Sequence, residues 1–185
     1  MKKQTLDSII KKHKKWLESE RREGKRMDLK RAYFSGVDFN GADFSGADFS
    51  GADFSGVDFS GAGLFCVDLR RVDFSGANFS GANLSGANLK FANLNGANLN
   101  GADLSNVILW STKGNNKEIK NIPYLDYNIT YTKDILQIGC KNYSIEEWEN
   151  FTDEEIDEME KGESLAFWKK NKKYIFDTIK ANPAE

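Results

Sequence analysis

A single histidine, two cysteines and two prolines stand among 185 residues, and no apolar run approaches the length of a membrane span. Each scarcity excludes something. One imidazole (His13) and two distant cysteines, Cys66 and Cys140, supply neither a base beside a nucleophile, nor a metal cluster, nor a disulfide framework. The opening stretch MKKQTLDSIIKKHKKWLESE interrupts its apolar residues with lysines and glutamates, which is unlike a secretory leader. A reduced, cytoplasmic protein without a membrane anchor is expected. Both prolines, Pro123 and Pro183, fall outside residues 27–111, so that tract keeps every backbone donor for pairing.

Charge is nearly balanced overall at -2 but unevenly placed. Residues 1–26 carry ten Lys and Arg against four Asp and Glu, a net +6. Residues 27–111 carry five against nine and residues 112–185 eleven against fifteen, a net -4 in each. A basic head on acidic parts points to separate partners or to mutual neutralisation.

What is abundant is a five-residue period. FSGADFSGADFSGVDF, residues 44–59, returns its phenylalanine every fifth position, which matches neither a helix nor a plain strand. Large apolar centres run without a slip from Leu29 to Leu109, seventeen units in all. Two positions before each centre stands a small or β-branched residue, with Met27 the exception, and between them lies a residue that is usually Asp or Asn. Each unit is thus in, out, in: a very short strand. Two turn residues follow, mostly Ser-Gly or Asn-Gly, because glycine accepts positive φ. Four such sides close a square coil of twenty residues with the centres inside, and about four coils stack to roughly 20 Å. Disorder would not place a bulky apolar residue at every fifth position.

The units ADFSG, ANLSG and ANLNG resemble those of the pentapeptide repeat family over residues 27–111. The resemblance implies an all-β solenoid, a right-handed quadrilateral parallel β-helix, with the hand taken from the family. It also implies that some members bind DNA gyrase as mimics of duplex DNA.

Twenty-residue columns place Phe34, Phe54 and Phe74 before Leu94, and Phe39, Phe59 and Phe79 before Leu99, so ring stacks are expected in the first coils. The outward positions Asp38, Asp43, Asp48, Asp53 and Asp58 form an acidic run, whereas positions 78–98 carry asparagine. Asp28, Asp48 and Asp68 share a column, and carboxylates about 5 Å apart should have raised pKa values unless a cation intervenes. Where turn residues are replaced, Arg70, Arg71, Lys90, Phe91 and Trp110 share one face with Lys30 and Arg31. That face reads either as a basic-aromatic contact stripe or as local neutralisation of the aspartates, with Arg71 stacked on Phe91.

Leu6, Ile9, Ile10, His13, Trp16 and Leu17 form a helical stripe over residues 5–22, with Gly24 as its stop. It is expected to cap the first coil and to touch Tyr33, while Ile108 marks the covered far end. After a polar linker at 112–123, residues 124–185 are expected to form a small α+β domain. It would hold a hairpin turning at Lys133-Asp134, capping boxes Ser144 to Glu147 and Thr152 to Glu155, and a helix over 163–181.

Regularly spaced surface aspartates and Ser-Gly corners form no catalytic cleft and no phosphate loop, so no enzyme activity, cofactor or metal is expected. The expected function is a non-catalytic interaction scaffold with a protein partner, and neither nucleic acid nor membrane binding. The alternative is a gyrase-binding DNA mimic. Against it stand the few coils, the amides of the later coils and the arginines on one face. The oligomeric state, monomer or dimer, is left open by the sequence.

Overall fold

The computed structural model describes residues 3–34, 37–122, 125, 127–159 and 163–184. Residues twenty apart pair in parallel throughout the repeat, in four columns. One runs Asp28, Asp48, Asp68, Asn88, Ile108; the next Tyr33, Asp53, Asp73, Asn93, Lys113. The others run Asp38, Asp58, Asn78, Asn98 and Asp43, Gly63, Asn83, Asp103. Four columns are four sides, so the coil is quadrilateral.

Each centre donates its N–H to the outward residue of the next coil, as Phe54 does to the Asp73 carbonyl at 2.8 Å. Each outward residue donates back to the small residue before, as Asp73 does to the Ala52 carbonyl at 3.0 Å. Corners close locally, Ala47 N–H to the Phe44 carbonyl at 2.8 Å, with Gly46 at φ +70 where a β-turn needs positive φ.

The expected ring stacks are present. Phe54 lies 4.8 Å from Phe34 and 5.7 Å from Phe74, near-parallel to both, and Phe59 lies 5.3 Å from Phe39 and 5.2 Å from Phe79. The two columns meet edge to face, Phe54 against Phe59 at 77°. Offset and perpendicular contacts suit the ring quadrupoles, so the aromatic half of the core has a defined geometry.

Helix α1, Lys3–Glu18, packs Leu6 against this core with Ile9 and Ile10 beside it. His13 is buried, and its Nδ1 accepts the Met27 N–H at 3.1 Å, which leaves the proton on Nε2. Chain reversal depends on Gly24 (φ +78), where a Cβ would stand 2.4 Å from the Lys12 carbonyl oxygen. Tyr33, where the contact was expected, is 65% exposed. The bond from Met27 to His13 holds α1 over the corner at Gly46 instead, where the Trp16 ring lies.

The stretch expected to be a linker is structured where described. Lys113 still pairs with Asn93, and Gly114 takes the next centre position. There the Ile119 carbonyl would meet a Cβ at 2.1 Å, and Ile119 itself is wholly buried in the repeat's core. The expected boundary at 123 and 124, with Pro123, lies outside the described residues.

An antiparallel meander follows, β1 (Lys120–Ile122), β2 (Ile129–Tyr131), β3 (Ile135–Ile138) and β4 (Lys141–Ser144), in that spatial order. The β2–β3 hairpin turns at Lys133 and Asp134, with Thr132 N–H on the Ile135 carbonyl at 2.9 Å. β1 and β4 were not expected, because KNI and KNYS are short and polar. Helices α2 (Ile145–Asn150) and α3 (Asp153–Met159) open with reciprocal capping boxes at Ser144/Glu147 and Thr152/Glu155. Helix α4, Glu163–Ala181, lays Trp168, Ile175 and Ile179 onto a second core with Leu136, Ile138 and Trp148.

The repeat's last coil has no further coil to pair with, and side-chain amides stand in for one. Asn121 accepts the Gly114 N–H at 3.0 Å and donates to the Thr112 carbonyl at 3.0 Å. Gln137 Oε1 accepts the Leu109 N–H at 2.7 Å, Asn142 donates to the Val107 carbonyl, and Asn115 donates to the Ala97 carbonyl. Of these amides, Asn121, Gln137 and Asn142 join the meander to the coil.

Asn121→Ala should therefore lower stability by about 1–3 kcal/mol, because it strands a backbone donor and an acceptor together; denaturant unfolding measures it. Burial pushes the His13 imidazole below its ordinary value, with Asp43 pulling partly the other way. The unfolded chain then takes up the proton first as pH falls, so His13's contribution is present above about pH 6.5 and lost below it. Thermal unfolding as a function of pH should show this loss, and His13→Gln should flatten it.

Candidate interaction surface

Each outward aspartate first serves its own corner. The carboxylates of Asp38, Asp43, Asp48, Asp53 and Asp58 accept the N–H two residues on at 2.8 to 3.1 Å. Asn83 and Asn98 do the same with their amide oxygens, so either residue builds the corner. The acidic run also does not form one surface: Asp38 and Asp58 lie on one side, Asp43, Asp48 and Asp53 on the three others, and Asp68 above Asp48.

The expected rise in carboxylate pKa is not found at Asp48 or Asp58, both of which are lowered. Partial burial works against Asp48's ionisation, yet the Ser50 hydroxyl and N–H and the Lys30 ammonium outweigh it. Lys30 reaches Asp48 at 3.1 Å and Asp28 at 3.6 Å, the intervening cation that relieves this column. Asp58 is held down by the Ser60 hydroxyl and N–H and by the Asn78 amide, which donates to it from the next coil at 3.1 Å. Asn93 stands above Asp73 in the same way. The asparagines of the later coils thus supply donors where further aspartates would supply repulsion.

The remaining site residues gather at one corner. Arg31, Arg70, Arg71, Lys90, Phe91 and Trp110 line an open groove of about 400 Å³ floored by Ser50 and Gly51. Phe91 and Trp110 pack at 4.9 Å, the Arg71 guanidinium lies 5.4 Å from the Phe91 ring centre, and the Lys90 ammonium 5.4 Å from that of Trp110. Arg70 is taken up by Asp68, with Nη2 at 2.6 Å from the carboxylate. Arg31, Arg71 and Lys90 form no ion pair among the described residues. Lys30 lies with the aspartates, and so outside the groove.

This corner departs from the repeat in backbone as well. Where most other corners carry glycine, Arg31, Arg71, Phe91 and Ser111 hold φ of 55, 58, 61 and 53 degrees, with only Gly51 (φ +70) following the rule. A side chain in the left-handed region costs about 1 kcal/mol or more. Three of those four side chains are cationic or aromatic.

The repeat is a solenoid of stacked coils, and this corner forms an open groove on its surface. The family model described as pentapeptide repeats matches residues 28–64 and 67–110 in eight copies. The chain belongs to the pentapeptide repeat family. It is similar to a pentapeptide repeat protein of known structure from Nostoc PCC 7120, at 34% identity over 51% of this chain and 74% of that one (TM-score 0.43). A second is Rfr23 from Cyanothece 51142, at 30% identity over 51% and 68% (TM-score 0.37). A third is QnrB1, a plasmid-mediated fluoroquinolone resistance protein, at 22% identity over 49% and 75% (TM-score 0.29). No curated protein matches the chain. Among the described residues no helix is long and apolar enough to cross a membrane.

The amides Asn115, Asn121, Gln137 and Asn142 were missed by sequence reasoning. They follow the repeat at irregular spacing, and only the place where the ladder ends gives them meaning.

Asn78→Asp should raise the Asp58 pKa and lower the melting temperature, because it swaps the donor above Asp58 for a second carboxylate. Carboxyl-carbon NMR titration and a thermal melt measure the two effects.

Proposed function

We propose that the chain is a non-catalytic interaction scaffold, and that its basic-aromatic corner is the surface a protein partner meets. In this reading residues 27–113 form a right-handed β-helix of a little over four coils, capped by α1 at one end and by the C-terminal α+β unit at the other. The observation that carries the reading is the column of Arg31, Arg71 and Phe91 in left-handed backbone. Glycine is favoured there on backbone grounds, so the strain is borne by side chains that reach outward into the groove. Uncompensated Arg31, Arg71 and Lys90 favour a partner segment rich in carboxylates, and Phe91 with Trp110 adds an apolar anchor of the kind that dominates interface energetics.

The alternative, a DNA mimic that binds gyrase, draws on the aspartates of the first coils. Their distribution over four sides, and the pairing of Asp28, Asp48 and Asp68 with Lys30 and Arg70, weigh against a continuous phosphate-like surface. No protection of supercoiling at a large molar excess is the expected outcome.

Arg71→Gly and Phe91→Gly separate function from folding. Relief of backbone strain and loss of the stacked pair nearly cancel, so each variant should stay within about 1 kcal/mol of the parent in stability. Affinity capture from a bacterial lysate should retain a partner on the parent chain and lose it on both variants. Retention of the same partner by both would remove the corner from the function.

A further inference from the structure

The last coil is covered unevenly. Side 112–114 has Asn121 on both of its free groups, side 107–109 has Gln137 and Asn142, and side 97–99 has Asn115 on its carbonyl. Side 102–104 has no such partner among the described residues. In every earlier coil the N–H of a centre or corner residue donates nineteen positions onward, as Phe44 does to Gly63 and Gly46 to Phe65. At the end the N–H groups of Leu99, Gly101, Leu104 and Asn106 have no such partner among the described residues, nor does the Ala102 carbonyl.

These groups open into a groove of about 350 Å³ between residues 99–106 and the β2–β3 turn at Thr132–Ile135, with Lys117 and Glu118 also on its wall. Leu99 is buried, whereas Ala102 and Leu104 are only half-buried, so apolar surface that a further coil would cover lies beside the unpaired groups. A strand edge of this kind binds extended polypeptide through its main chain.

We infer that this groove takes an extended segment of a partner polypeptide, which adds one side of a further coil by parallel pairing along residues 99–106. The pattern of free groups defines the occupant. Its carbonyls meet the N–H groups of Leu99, Gly101, Leu104 and Asn106, one of its N–H groups meets the Ala102 carbonyl, and a small and an aliphatic side chain point inward over Ala102 and Leu104. Main-chain recognition makes the site tolerant of outward side chains, and it lies at the C-terminal end of the ladder, apart from the basic-aromatic groove.

The probe is the end-blocked peptide ANLNGADLSN, residues 97–106 of this chain, which carries the groups of one half-coil in the repeat's own register. Added at millimolar concentration to the full-length protein, it should slow amide hydrogen exchange at Gly101 and Leu104 about tenfold. N-methylation of its aspartate removes the donor to Ala102 and should weaken binding about fivefold. Unchanged exchange at Gly101 and Leu104 overturns the inference, as does equal binding of the N-methylated peptide. Protection of the same amides without peptide, in a chain that sediments as a dimer, also overturns it by assigning the edge to a second copy.

Discussion

The chain must turn a corner every fifth residue while each side keeps its hydrogen bonds to the sides one coil before and after. That single constraint sets the rest of the repeat. It admits only a small residue and one apolar centre to the interior, turns the middle residue of each side outward, and demands positive φ at each corner. Aromatic stacking fills the first coils because rings repeated at the coil spacing fall into contact along the axis, as Phe59 and Phe79 do at 5.2 Å.

The same constraint makes the aspartates structural. A carboxylate that accepts the N–H two residues on helps to fold the corner, and an asparagine does this equally well. The two differ only toward the neighbouring coil, where asparagine donates and aspartate repels. Lys30, Arg70, Asn78 and Asn93 lie where that difference matters. Exceptions to the glycine rule then stand out. Arg31, Arg71 and Phe91 keep their side chains against a backbone preference, and they do so in one column.

A ladder also has ends, and its two ends are treated differently. At the start α1 is held by the Met27 N–H on His13, with the Trp16 ring beside the Gly46 corner. At the finish amide side chains copy the hydrogen bonds of an absent coil, and Ile119 fills the centre that Gly114 leaves empty. Among the described residues, side 102–104 receives no such copy.

Period, core, corners and the twenty-residue register were legible in the sequence because they repeat: each position is dictated by neighbours one coil away whose identity the sequence itself states. The β2–β3 hairpin, both capping boxes and α4 were legible from local chemistry at Lys133-Asp134, Ser144, Thr152 and the Trp168 stripe. The rest depended on contacts between unlike parts. Aspartates that look crowded in sequence are held down first by the serine hydroxyl and N–H of their own corner, and further by Lys30 at Asp48 and Asn78 at Asp58 from a neighbouring coil, so their pKa values fall where crowding alone predicts a rise. The place of α1, the strands β1 and β4, and the amides that close the ladder follow from how two non-repeating surfaces fit a finished coil, and no local pattern encodes that fit.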